Sequence, residues 1–181
     1  RDDESIPRRH AGSVFVDKLP LNTIFMPLVT RLFPQSRFIF AVQAPRDVVL
    51  SCFMRAFGLS EAMRNFLSLE NTADFYRAVM QIGIDSIQQS QQAVYLMRYE
   101  TLIEDLEGEA RRLCSFLGLE WDDAMLKFQE TARKRRINTP SYHQVVKPIC
   151  KAARERWRND ERYLQPVLPQ LRAAIDYFGY Q

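Results

Sequence analysis

Asp47, Ser51 and Arg55 recur at i, i+4 and i+8, directly after the apolar run at 38–42. On a helix this spacing sets a carboxylate, a hydroxyl and a guanidinium on one face, each a turn from the next. A serine and an arginine on successive turns can hold a phosphate. The guanidinium forks onto two oxygens and the hydroxyl adds a short hydrogen bond. The same spacing also describes an ordinary solvated helix face. Two more side chains stand where ligands meet open α/β sheets, at the ends of apolar runs. Lys18 follows the apolar run 14–16, and Tyr99 follows the run 93–97. Lys18 reads either as a site residue or as a solvated loop lysine. Tyr99 offers an aromatic face for a base, or serves as a half-buried structural tyrosine.

The elements that must position these residues follow from the pattern of apolar side chains. The run 38–42 is aromatic and β-branched, which predicts a strand buried on both faces. Pro45 then ends the strand and presets a helix, with Asp47 near its positive end. Residues 14–16 predict another strand, stopped by Pro20, and Asn22 predicts the cap of a helix through 27–33. A segment from 59 to 69 carries Ala62, Phe66 and Leu69 on one face. A helix opening at Asn71 and Thr72 carries Phe75, Val79, Ile82 and Ile87 as core. The polar run 88–92 reads as a helix end and loop. Residues 93–97 predict a third strand, followed by a helix over 106–117 with Gly118 as its cap. A helix from Trp121 becomes basic at 133–136, which suits its negative end or, less simply, a nucleic acid. An ordered, hydroxyl-rich loop follows at 139–148, then a helix over 152–157. An amphipathic closing helix buries Leu164, Val167, Leu168, Leu171, Ile175 and Phe178.

The 181 residues are enough for one domain with a substantial core. A composition 46% hydrophobic and 26% charged is that of an ordered globular chain. Net charge +3 is too mild to imply a nucleic-acid partner. Nine prolines against six glycines leave no flexible linker. Cys52, Cys114 and Cys150 show no paired spacing and read as reduced thiols of a cytoplasmic protein. His10 and His143 stand apart from other soft ligands, so no metal site is expected. No apolar run reaches the roughly 18 residues of a membrane span. The opening Arg1, without methionine or a targeting pattern, is expected to be a cut end within a longer chain.

Four segments occur here in a recognisable order. They are Phe15-Val-Asp-Lys18-Leu-Pro20, Pro45 with Asp47 and Ser51, Arg98-Tyr99-Glu100, and Thr139-Pro-Ser141-Tyr-His-Gln144-Val-Val-Lys147-Pro148 with Trp157 beyond. Together they resemble sulfotransferases, most closely the bacterial type often fused behind tetratricopeptide repeats and related to the tyrosylprotein sulfotransferases. The resemblance covers about 14–180 and implies one α/β domain over 1–181: three layers, a short, mostly parallel sheet and a helical C-terminal half. It implies transfer of a sulfuryl group from 3′-phosphoadenosine 5′-phosphosulfate (PAPS) to a hydroxyl or amine. Lys18 resembles the lysine that neutralises the departing oxygen, and Ser141 a serine that steadies the transition state. Gln43, Ser51 and Arg55 resemble the 3′-phosphate ligands, and Tyr99 the tyrosine against adenine. Tyr142, Gln144 and Lys147 resemble a loop over the nucleotide, and Arg156 a basic residue reaching it. The expected partners are therefore this nucleotide and an acceptor the sequence does not identify, with no metal and no nucleic acid.

The chain departs from the family in two places. Gln43, eight residues before Ser51, stands where the family usually has arginine. The glycine- and serine-rich loop for the 5′-phosphosulfate, and the general base after it, come earlier in the family than any segment here. Asp17 and Glu100 read as structural acceptors, not as substitutes for that base. These departures leave a second reading open: a non-catalytic nucleotide-binding or interaction module derived from the same fold.

Overall fold

The computed structural model describes residues 14–55, 62–128 and 154–181. Strands β1 (Phe38–Val42) and β2 (Val94–Arg98) pair in parallel, with Phe38 beside Val94 and Val42 beside Arg98. Parallel strands require a crossover. Helices α2 (Pro45–Met54) and α3 (Leu69–Gln89) supply it. Pro45 opens α2, where its missing N–H costs nothing. Ser68 caps α3 by accepting the Asn71 N–H at 3.1 Å, and the helix ends in the glutamine run as expected. After β2 come α4 (Tyr99–Glu104) and α5 (Leu106–Leu117). Asp105 caps α5 through the Gly108 N–H at 2.9 Å, and Gly118 closes it in the left-handed conformation (φ 70°).

Helices lie on both faces of the sheet. On one face Phe40 and Val42 pack with Met26, Ile84, Ala174 and Phe178, and Phe40 stacks on Phe178 with centroids 5.8 Å apart. On the other face Tyr95 of β2 meets Phe116 of α5 at 5.3 Å and donates to Glu109. This is the three-layer α/β arrangement, with a sheet of two strands among the described residues. A second cluster of Val49, Ala73, Leu164, Val167, Leu171 and Ile175 joins α2 and α3 to the C-terminal helices. Burying each such aliphatic side chain contributes about 1.5–3 kcal/mol. The closing segment is apolar where expected. Pro166 and Pro169 divide it into α6 (Glu161–Leu164), a 3₁₀ turn (Gln165–Val167) and α7 (Leu168–Phe178).

Several expectations are corrected. Residues 14–16 form no strand: they are exposed and pair with neither described strand, and a strand needs a neighbour to take up its backbone groups. Pro20 does not merely end that stretch but opens a 3₁₀ helix (Pro20–Phe25) leading into α1 (Met26–Leu32). Asn22 is inside the 3₁₀ helix and donates to Asp17 at 2.9 Å, so it caps nothing. β1 is buried on one face only. Ile39 (37% exposed) and Ala41 look outward, because α5 sits over β2. The inner face of α3 is Ala73, Tyr76, Met80, Ile84 and Ile87, while Ile82 is 38% exposed. Of the helix expected over 152–157, the described part is a turn at 154–155, with Glu155 at φ 55°, followed by a 3₁₀ helix (Arg156–Asp160). The expectations for 59–61, 133–136 and 139–148 fall outside the described residues.

Candidate functional site

In this register the chain leaves β1 and β2 side by side. Val42 pairs with Arg98, so Gln43 and Tyr99, each one residue further on, emerge together at the carboxyl edge of the sheet. Both are half-buried. The turn between β1 and α2 is fixed by Glu100, whose carboxylate accepts from the Ala44 N–H at 3.0 Å and from the Tyr180 hydroxyl at 2.8 Å. Tyr180 is also covered by the Arg98 guanidinium, 4.3 Å from its ring centroid. Burial and the bond to Glu100 push the Tyr180 phenol well above its ordinary range, and burial does the same for Tyr76 beneath it. Glu100 is thus a structural acceptor, as expected. So is Asp17, which accepts from Asn22.

Helix α2 carries the next residues. Ser51 is exposed on it, about 9 Å along the axis from Pro45 at the helical rise. Arg55 does not continue the helical face. The helix ends at Met54, and Arg55 is the half-buried C-cap in extended conformation, its N–H on Cys52 O at 3.3 Å. Asp47 does not look outward with Ser51. It is 4% exposed and accepts two backbone N–H groups, Glu155 on Oδ2 and Trp157 on Oδ1, each at 2.9 Å. Burial outweighs those two bonds and raises the Asp47 carboxyl above the ordinary aspartate value, with Glu100 and Glu155 adding to the effect. The Cys52 thiol is likewise pushed up by burial, Arg55 opposing, so it is held as a weak nucleophile.

The bonds to Asp47 bring the segment after residue 153 onto α2. Arg156, between the two bonded N–H groups, reaches the last turn of that helix, where its guanidinium lies 3.8 Å from Met54 Sδ. Arg46 stacks on the Trp157 ring at 4.4 Å and donates to the Gln181 carbonyl, and Arg154 pairs with Glu104 of α4. Ser51, Arg55 and Arg156 are therefore gathered along one helix, with Gln43 and Tyr99 at its start. Lys18 lies on the exposed stretch before the first 3₁₀ helix. Ser141, Tyr142, Gln144 and Lys147 lie outside the described residues.

Sequence reasoning missed three contributors: Tyr180, the Arg46–Trp157 stack and the inward role of Asp47. No local signal marks any of them, since their partners lie 80, 111 and about 110 residues away in the chain. An open hollow of about 590 Å³ is lined by Leu119, Glu120, Trp121, Asp122, Asp123 and Met125. It adjoins the end of α5, whose Phe116 carbonyl accepts from Arg37 just before β1. That places it at the amino edge, opposite the candidate site, and its acidic lining disfavours an anion. Among the described residues no group of three ligating side chains could hold a metal, and no helix is long and apolar enough to cross a membrane.

A family model described as "Sulfotransferase family" matches residues 4–123. A protein of Aquifex aeolicus (strain VF5), titled "Uncharacterized protein", is 30% identical over 164 residues, covering 88% of this chain and 21% of its own length. The chain thus spans about a fifth of the curated relative it matches.

Proposed function

The chain belongs to the sulfotransferase family, and from that premise we propose that it binds PAPS and takes part in passing the sulfuryl group to a hydroxyl or amine acceptor. One observation carries this reading: Gln43, Tyr99 and the start of α2 meet at the carboxyl edge of a parallel sheet, with Ser51, Arg55 and Arg156 along that helix. Ligands of open α/β sheets bind at this edge. In this reading residues 1–181 act as one domain. Ser51, Arg55 and Gln43 hold the 3′-phosphate, Arg156 adds charge beside them, and Tyr99 faces the adenine. Two guanidinium groups, a hydroxyl and an amide suit a polyanion. Lys18 neutralises the leaving oxygen and Ser141 steadies the transferring group, while Tyr142, Gln144 and Lys147 cover the nucleotide.

PAPS supplies the activated sulfuryl group, and the residues supply position and charge. By analogy with phosphoryl transfer, a loose in-line transition state leaves little covalent work to the protein. Electrostatic stabilisation of the departing oxygen is then the main contribution, and a lysine is a compact charge for it. A cytoplasmic setting is part of this reading, argued from three cysteines without paired spacing in the sequence.

A second reading, nucleotide binding without transfer, is favoured by the neutral Gln43 where the family usually has arginine. The two separate by experiment. Calorimetry with adenosine 3′,5′-bisphosphate should give saturable heat; none at millimolar ligand removes both readings. Transfer from labelled PAPS to a panel of phenols, sugars and tyrosine peptides should then be lost in Lys18→Ala. Binding without any transfer selects the second reading, and undiminished transfer by Lys18→Ala defeats the role given to that lysine.

A further inference from the structure

We propose that Asp47 is a positioning residue of this site: its buried carboxylate holds the backbone on both sides of Arg156 and so sets that guanidinium at the last turn of α2. The inference rests on the nucleotide reading above. The geometry is specific. Asp47 Oδ2 accepts the Glu155 N–H and Oδ1 the Trp157 N–H, each at 2.9 Å, so each oxygen holds one side of Arg156. Glu155 is left-handed (φ 55°, ψ 22°) and Arg156 begins a right-handed 3₁₀ helix. A left-handed residue followed by a right-handed one turns successive N–H groups into one hollow, a backbone nest for an anion. Here the anion is a side chain of the protein.

Glu155 is the one non-glycine residue with positive φ among the described residues. A side chain in that conformation persists only where its surroundings enforce it, and such residues cluster at functional sites. Three separate contacts fasten the segment: the carboxylate, the Arg46 stack on Trp157, and the Arg154 pair with Glu104. Arg156 itself is exposed and reaches Met54, the neighbour of Arg55. Asp47 is near the positive end of α2, which favours the ionised form that accepts both bonds.

The test compares Asp47→Asn, Arg156→Ala and the double variant in the full chain, titrated with adenosine 3′,5′-bisphosphate and with adenosine 5′-monophosphate. An asparagine keeps the shape but loses one of the two acceptors. The expected result is about a tenfold loss of affinity for the bisphosphate in either single variant, with the monophosphate changed less than twofold. The double variant should lose no more than Arg156→Ala alone. Multiplied losses in the double variant, or equal weakening of both nucleotides, would overturn the proposal and leave Asp47 with a structural role only. A nucleotide-independent measurement accompanies these titrations: in a Trp121→Phe background, Asp47→Asn should shift Trp157 emission to the red. Unchanged emission shows the clamp intact without the carboxylate and also overturns the proposal. If Asp47→Asn does not fold, Asp47→Glu, with both acceptors on a longer stem, carries the same comparison. Wild-type protein that binds neither nucleotide defeats the reading of the site itself, a result distinct from binding with multiplied losses.

Discussion

Gln43→Arg is the most informative single change in this chain, because it asks the site for a gain. Gln43 leaves β1 beside Tyr99, half-buried, between Val42 (6% exposed) and Ala44, whose N–H is fixed by Glu100. A neutral amide on a phosphate oxygen is worth about 0.5–1.5 kcal/mol, and a charged donor about 1.5–3 kcal/mol. The difference, about 1–1.5 kcal/mol, is roughly tenfold in dissociation constant. Partial solvent exposure screens the new charge and sets this as an upper figure. Glu100 would compete for the guanidinium, yet its two oxygens already accept from Ala44 and Tyr180. Calorimetry with adenosine 3′,5′-bisphosphate at low and high salt is the assay. Gln43→Arg should bind several-fold to tenfold more tightly at low salt, and the gain should shrink as salt rises. Gln43→Ala should bind a few-fold more weakly. Equal or weaker binding by Gln43→Arg, in protein with unchanged thermal stability, would refute the placement of the 3′-phosphate at this strand end.

Three further changes test the framework. A Cβ at Gly83 would lie 2.7 Å from Phe40 Cζ and 2.9 Å from Thr23 Cγ2. Overpacking costs about 1–3 kcal/mol and alanine returns up to about 1 kcal/mol of helix propensity, so Gly83→Ala should lower stability by about 1–2 kcal/mol in urea unfolding. A rise in stability would contradict the close packing of the first 3₁₀ helix, α3 and β1. Asp105→Ala removes the α5 cap on Gly108 and should cost about 1 kcal/mol, read the same way. Tyr76 and Tyr180 are raised in the folded state, so their contribution is complete below the unfolded tyrosine value, near pH 10, and is lost as pH rises beyond it. Two of the seven tyrosines should therefore ionise only as the chain unfolds, with phenolate absorbance and far-UV circular dichroism changing together. Phenolate formation from all seven before any loss of helix would refute their burial.

Much of this architecture was legible because it is local. The β1 and β2 runs, the Gly118 cap of α5 and the apolar spacing of 164–178 each carry their own signal within about fifteen residues. What failed depended on neighbours. Residues 14–16 have strand composition, but a strand exists only where another strand accepts its hydrogen bonds. On α3 the apolar residues occupy more than one face, so periodicity alone could not choose between Val79 and Ile82 on one side and Tyr76, Met80 and Ile84 on another. The candidate site divides in the same way. Gln43 and Tyr99 were readable as strand ends, and parallel register brings them together. The covering of Asp47 by a distant segment, with Ser51 left exposed a turn further on, was not readable, since the two donors to Asp47 lie 108 and 110 residues further on.

In the proposed reading, an anion site is built among two carboxylates, Asp47 and Glu100. Left open, two carboxylates at the carboxyl edge would repel a nucleotide. Each is instead engaged by donors: Asp47 by the Glu155 and Trp157 N–H groups, Glu100 by Ala44 N–H and Tyr180 hydroxyl. Donors aimed at a carboxylate disperse its charge and turn it into a fastener for the backbone. Toward the end of α2 stand Ser51, Arg55 and Arg156, a hydroxyl and two cations. In this reading their recruitment would depend on the fasteners, because Arg156 arrives from the far end of the chain and Gln43 from a turn that Glu100 fixes. Selection for phosphate affinity would therefore act on buried acids that touch no ligand, as well as on the cations that would.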